Sequence, residues 1–262
     1  DQHTWAPSHP DAGWLDQIQA AVEAWRSAPV HEPTSSLTGG GVIRAFEEAF
    51  SRHVGSRESL LVPSATYGLR LALETLGVGA GEVIVPAVDW TATQQAVRSL
   101  GATPVLADVE PDTLTIRPGG IASLINERTK AVVACHYNGS VADVAQVREA
   151  VGGLPIVEDC AAALDATLDG QPVGTLGDIA VFSFGPGKHF DLGEGGMVVS
   201  ANASLHERAL ALSAHPTRLT LSGIDIPADH PGLMMRGNPL TALLGWHKLS
   251  DKPRSPHSRS SL

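Results

Sequence analysis

Leu60-Leu61-Val62-Pro63-Ser64-Ala65-Thr66-Tyr67-Gly68-Leu69-Arg70-Leu71-Ala72-Leu73-Glu74-Thr75-Leu76 reads in one pass as a strand, a turn and a helix. Leu60 to Pro63 is a short apolar run closed by proline. Ser64, Ala65 and Thr66 are small and polar, and Tyr67 to Leu76 carries apolar residues at helical spacing. The pattern repeats downstream. Val83-Ile84-Val85-Pro86 predicts a strand, Thr91 to Leu100 a helix, Pro104 to Asp108 a strand, Ile121 to Ile125 a helix and Ala131 to Cys135 a strand. Val141 to Val151 then predicts a helix and Pro155 to Asp159 a strand. Strands that are apolar through their length need cover on both faces, and helices alternating with them supply it. The fold class is therefore α/β, with a mostly parallel sheet.

Working outward, Leu15 to Trp25 and Val42 to Val54 predict two amphipathic helices before this unit. Beyond it, Ile179 to Phe184 and Met197 to Ser200 predict strands and Leu205 to Ser213 a helix. His215 to Pro231, rich in Pro, Thr, Ser and Asp, is expected to be a long loop, and Leu240 to Leu249 a last amphipathic helix. The chain thus divides into an N-terminal helix and arm over 1–34, a main domain over 35–250 and a tail over 251–262. The tail has lost apolar periodicity and is expected to be disordered.

The 262 residues suffice for a sizeable core. With Lys+Arg 18 against Asp+Glu 28, the net charge of -10 disfavours binding to nucleic acid and anionic membranes and favours a small-molecule substrate. Two cysteines, Cys135 and Cys160, form no close pair, so neither a disulfide framework nor a thiolate metal site is expected. Asp1 to Pro10 lacks the pattern of a signal peptide, and no apolar run reaches the length of a membrane span. A cytoplasmic protein is expected.

In an open parallel sheet, ligands bind beyond the carboxyl ends of the strands, where Ser64-Ala65-Thr66, Trp90, Asp159, Ser183 and Lys188 fall. Lys188 lies in Phe182-Ser183-Phe184-Gly185-Pro186-Gly187-Lys188-His189-Phe190-Asp191-Leu192-Gly193-Glu194-Gly195-Gly196. Phe184, Phe190 and Leu192 are expected to dry its surroundings, and drying favours the free amine that Schiff-base chemistry needs. Each residue also has a plainer reading. Lys188 could be a surface lysine. Ser64-Ala65-Thr66 could cap a helix or hold a phosphate at its N-terminus. Asp159 could be structural or hold a protonated ring nitrogen, and Trp90 could be core or stack on a flat ring.

Five segments in order resemble the DegT/DnrJ/EryC1/StrS family of pyridoxal-phosphate-dependent sugar aminotransferases. Gly41 to Phe50 is similar to its opening helix, Pro63 to Leu73 to its phosphate-binding turn, and Val85 to Thr93, with Gly101 to Val105 and Asp108 to Thr113, to its cofactor-stacking segment. Val157 to Ala161 is similar to the strand end bearing the ring-nitrogen aspartate, and the Lys188 run to the Schiff-base loop. The resemblance spans about residues 35–250. It implies a fold-type I enzyme with pyridoxal 5'-phosphate as cofactor. Lys188 would be the Schiff-base lysine and proton carrier, Asp159 the partner of the pyridine nitrogen and Trp90 the ring cover. Ala65, Thr66 and Ser183 would hold the phosphate. Glutamate or glutamine as amino donor, a nucleotide-linked keto sugar or natural-product intermediate as acceptor, and a homodimer or heterodimer sharing its active sites are further implications.

The sequence also departs from that family. Ala162 stands where Gln or His usually meets the ring hydroxyl, and Met234 where Asn usually reaches the second subunit's phosphate, with Asn238 about a turn later. The chain stops soon after Leu249, where family members continue into a smaller C-terminal domain. Most of that domain is expected to be lacking. A separately encoded partner, an open site for a different or bulky substrate, or a degenerate product would each account for this. A different outcome on the same cofactor (elimination, racemisation or condensation) and a non-catalytic subunit of a split enzyme are the alternatives to transamination.

Overall fold

The computed structural model describes residues 12–29, 32–225 and 233–250. Two helices, α1 (Ala12–Ser27) and α2 (Val42–Val54), lead into β1 (Glu58–Val62) and α3 (Ala65–Thr75). Next come β2 (Glu82–Pro86), α4 (Thr91–Ser99), β3 (Thr103–Ala107), α5 (Pro118–Ile121), β4 (Thr129–Cys135), α6 (Val144–Val151) and β5 (Ile156–Asp159). A small hairpin of β6 (Thr167–Leu168) and β7 (Gln171–Pro172) precedes β8 (Ile179–Ser183) and β9 (Gly196–Ser200). The helices α7 (Ala203–Ser213), α8 (Pro216–Leu221) and α9 (Pro239–Ser250) complete the described chain.

One seven-stranded sheet, in the order β1-β9-β8-β5-β4-β2-β3, organises these elements. Its neighbours pair in parallel except at β9, which is antiparallel to both β8 and β1. From β2 the chain steps outward to β3, whereas from β4 it steps the other way to β5 and β8. This reversal opens a crevice at the carboxyl ends of β2, β4 and β5, the place where open α/β sheets take ligands.

Alternation along the strands divides the core. Leu60, Val62, Val181 and Val198 face one side with Leu69 and Leu73 of α3, while Leu61, Ala180, Phe182 and Val199 face the other with Phe46 and Phe50 of α2. Phe46, Phe50, Phe182, Phe184 and Phe190 are all buried and meet ring to ring. Burial of each contributes about 2–3 kcal/mol. A Cβ on Gly245 of α9 would collide with the Phe46 ring, so this glycine lets α9 lie close against α2. Trp25 and Trp246 pack edge to face at 5.0 Å and join α1 to α9.

The structure corrects the sequence reading in four places. The expected loop over His215 to Pro231 contains α8, started by Pro216 at its first turn and capped by His215, whose Nδ1 accepts from Thr217 N–H. The helix expected from Val141 begins at Val144, because Asp143 caps it and Ala142 N–H is drawn to His136 Nδ1. The helix expected over Ile121 to Ile125 starts at Pro118 and tightens into a 3₁₀ turn over Ala122–Leu124. The β6–β7 hairpin was not anticipated; its turn, Asp169-Gly170, has both φ angles positive (50° and 78°), the geometry this residue pair favours. The N-terminal residues 1–11 and the tail expected over 251–262 lie outside the described residues, as does Gly232. Among the described residues, no helix is long and apolar enough to cross a membrane.

Candidate active site

The register of the parallel strands sets the site. Cys135 and Asp159 are Cα partners at the ends of β4 and β5, and Ser183 ends the neighbouring β8. The segment Ala87 to Trp90 leaves β2 at the same edge. Gly196, opening β9, pairs with both Val62 of β1 and Ser183 of β8. A Cβ there would lie 2.7 Å from Ala65 N and 2.9 Å from the Phe182 carbonyl, so glycine is required for the α3 N-terminus and Ser183 to share one corner.

That corner suits an anion. Ser64 caps α3, its Oγ accepting from Tyr67 N–H at 3.5 Å, so the capping reading of Ser64-Ala65-Thr66 holds. The N–H groups of Ala65 and Thr66 occupy the first turn, where a helix supplies no acceptor, so capping leaves them available to a ligand. Ser183, half-buried, faces this corner from β8.

Asp159 is 4 % exposed. Its Oδ1 accepts from Ala161 N–H at 2.9 Å and its Oδ2 from the Thr93 hydroxyl at 3.2 Å. Burial, and then the charge of Asp89, push its carboxyl up to about 6. Beneath it lies a second buried acid. Glu158 takes N–H bonds from Gly174, Leu176 and Gly177 and the Nε2–H of His136 at 3.0 Å, while His136 Nδ1 accepts from Ala142 N–H. These bonds outweigh the desolvation and hold Glu158 below the usual carboxylate range. The result is a rigid shelf under Asp159.

Trp90 caps α4 with its indole 78 % exposed, so it is not a core residue. Lys188 stands half-buried in the loop between β8 and β9. Its charge acts on the buried Cys135 thiol, which burial, Asp159 and Asp89 push upward. The loop holds itself closed: Asp191 accepts from Gly187 N–H through Oδ2 and from Gly193 N–H through Oδ1, both at 2.8 Å. Phe184, Phe190 and Leu192, expected to dry the lysine, are buried in the cluster with Phe46 and Phe50.

The candidate residues Ala65, Thr66, Trp90, Asp159, Ser183 and Lys188 thus all fall at the carboxyl edge of one sheet. Sequence reasoning passed over Thr93, Asp89 and Cys135, which come to Asp159 from α4, from the turn after β2 and from the neighbouring strand β4. Ala162 is exposed in the turn after β5 and offers a methyl group. Met234 has φ 47°, and Asn238 caps α9, its Oδ1 accepting from Leu240 N–H at 2.8 Å.

The model of the DegT/DnrJ/EryC1/StrS aminotransferase family matches residues 24–261. The chain belongs to this family. Among solved structures, it is similar to an aminotransferase from Psychrobacter cryohalolentis, at 30 % identity and a TM-score of 0.78, covering 93 % of this chain and 62 % of the other. It is similar to DesI, solved in the presence of its TDP-sugar product, at 32 % identity and TM-score 0.75, covering 90 % and 58 %. A sugar-aminotransferase candidate of Streptococcus pneumoniae in its PLP-form is 26 % identical with TM-score 0.74, covering 90 % and 64 %. The chain therefore spans about three fifths of the length of these relatives, and its fold is that of fold-type I aminotransferases.

Proposed function

We propose that this family member binds pyridoxal 5'-phosphate and transfers an amino group from an amino acid, glutamate or glutamine, to the keto carbon of a nucleotide-linked sugar or a related natural-product intermediate. The observation that carries the reading is Asp159, a buried carboxylate at the crevice mouth, with the Lys188 loop and an exposed indole at the same edge. The structure of DesI with a TDP-sugar product supports the acceptor class.

The residues fit the cofactor by their donor chemistry. Ala65 and Thr66 N–H groups and the Ser183 hydroxyl would hold its phosphate, and Trp90 would cover one face of its ring. Asp159, costly as a buried anion, would be stabilised by a ring N–H⁺. Bound pyridoxal phosphate supplies an aldehyde that carries the amino group and a ring that accepts electrons from the substrate carbon. Lys188 would hold the aldehyde in the resting protein, and its free amine would be placed to move a proton to or from the substrate carbon. As a carboxylate, Asp159 would keep the ring nitrogen protonated. Thr93 and Ala161 hold its two oxygens in place. The shared sites implied for this family favour a dimer.

The test is an absorbance spectrum of the protein purified with pyridoxal phosphate. A visible band that Lys188→Ala removes, and formation of 2-oxoglutarate from glutamate, are expected. A colourless wild-type protein would refute cofactor binding. Colour without 2-oxoglutarate or its glutamine equivalent would refute transamination alone.

A further inference from the structure

Asp89 lies between the end of β2 and Trp90, and its carboxylate is spent unevenly. Oδ1 accepts from Trp90 N–H at 2.6 Å and from the Cys135 thiol at 3.2 Å. Oδ2 is shut off from solvent and has no hydrogen-bond partner among the described residues. One ligand-type atom from each of Asp89, Cys135 and Asp159 lies within 4.8 Å of the others. Two carboxylates therefore share a dry pocket in which one oxygen is left unsatisfied, an arrangement costly on both counts.

Among the described residues, the basic side chains in reach do not relieve it. His136, behind Asp159, gives its Nε2–H to Glu158, and Lys188, facing Cys135, is the amine reserved for the substrate. Thr93, the remaining side-chain donor on Asp159, is neutral. A small donor carrying positive charge would satisfy Oδ2 and cancel the repulsion together. We propose that Asp89 is a second carboxylate for the cofactor's protonated ring nitrogen, forming with Asp159 a two-acid cradle that selects a cationic ring. This rests on the reading that the site takes pyridoxal phosphate. Because Trp90 follows Asp89 directly, the residue covering the ring and the residue sensing its charge are consecutive, and each constrains the other through the bond from Trp90 N–H to Oδ1. In the protein without cofactor, a proton takes the place of the ring cation, and burial together with Asp89 raises the Asp159 carboxyl to about 6.

The test compares equilibrium binding of pyridoxal phosphate with that of its carbocyclic analogue, in which C–H replaces the ring nitrogen. Wild-type protein, Asp89→Asn and Asp89→Ser, each checked for folding by circular dichroism, are measured at pH 8. The wild type should prefer the nitrogen-containing ring by about 100-fold, and both variants should lose about 10-fold of that preference while still attaching the aldehyde to Lys188. An unchanged preference in folded variants would overturn the role of Asp89. Equal weakening of both ligands would do the same, since it would mark Asp89 as a purely structural support. Uptake of neither ligand by the wild type would overturn the cofactor reading itself, and this proposal with it.

Discussion

The Lys248 ammonium donates to the carbonyl oxygen of Asp191 at 2.7 Å, fastening α9 to the loop that carries Lys188. A second clasp lies nearby, where the Thr241 hydroxyl of α9 donates to the Glu194 carbonyl at 2.8 Å. The lysine loop is thus held by α9 from outside and by the Asp191 carboxylate from within.

Asp191→Ala removes the acceptor of two backbone N–H groups, each bond contributing about 1 kcal/mol. A loss of about 2 kcal/mol in urea unfolding is expected, with faster hydrogen exchange at Gly187 and Gly193. Exchange rates equal to those of the wild type would show that α9 alone suffices to hold the loop.

Asp159 makes the protein less stable above about pH 6. Its folded value of about 6 lies above the unfolded 3.8. The folded state therefore binds more protons between these limits, and stability present below pH 3.8 is lost as pH rises through about 6. The shift corresponds to about 3 kcal/mol. In protein freed of cofactor, Asp159→Asn should be more stable than wild type at pH 8 by about that amount and should lose cofactor affinity. Thermal melts at pH 5 and pH 8 provide the check: a difference that does not grow with pH would refute the coupling.

His206 acts in the opposite direction. Burial, and then Arg218, lower it to about 4, so it is neutral in the working range and its 3.9 Å approach to Glu58 is not an ion pair there. Its folded value lies below the unfolded 6.5, so its contribution is present above pH 6.5 and lost as pH falls through about 4. His206→Gln is expected to flatten this acid limb by about 2–3 kcal/mol. Chemical denaturation at pH 4.5 and pH 7 measures it.

Glu47 joins three parts of the fold. It accepts Leu61 N–H at 2.9 Å and both Arg218 nitrogens, at 3.2 Å and 2.7 Å, and it is 6 % exposed. Glu47→Ala leaves the guanidinium without this partner and should cost about 3 kcal/mol or more. The double variant Glu47→Ala with Arg218→Ala should cost clearly less than the sum of the single changes, as a double-mutant cycle would show. Additive losses would mean that the two side chains act independently.

Strand periodicity, proline endings and the glycine-rich run around Lys188 are local signals, so the α/β class and the positions of Asp159, Ser183 and Lys188 could be read from the chain. The helix over Pro216–Leu221 was missed because its start is written in His215 and Pro216, which also mark loops. The relation of Asp89 and Cys135 to Asp159 was not legible, because it arises from the pairing of β4 with β5 and from the turn after β2. No spacing along the chain encodes those contacts.

Gly196 pairs with Val62, which brings the first and last strands of the sheet in chain order side by side. The β8–β9 hairpin and the α3 turn can each form from neighbouring residues, but their junction must close about half of the chain into a loop. During synthesis, the α3 turn at Ala65 emerges long before Ser183 and Lys188 can join it. Cofactor capture at the proposed site would therefore be a late event in the life of each molecule, reporting that β9 has been laid between β1 and β8.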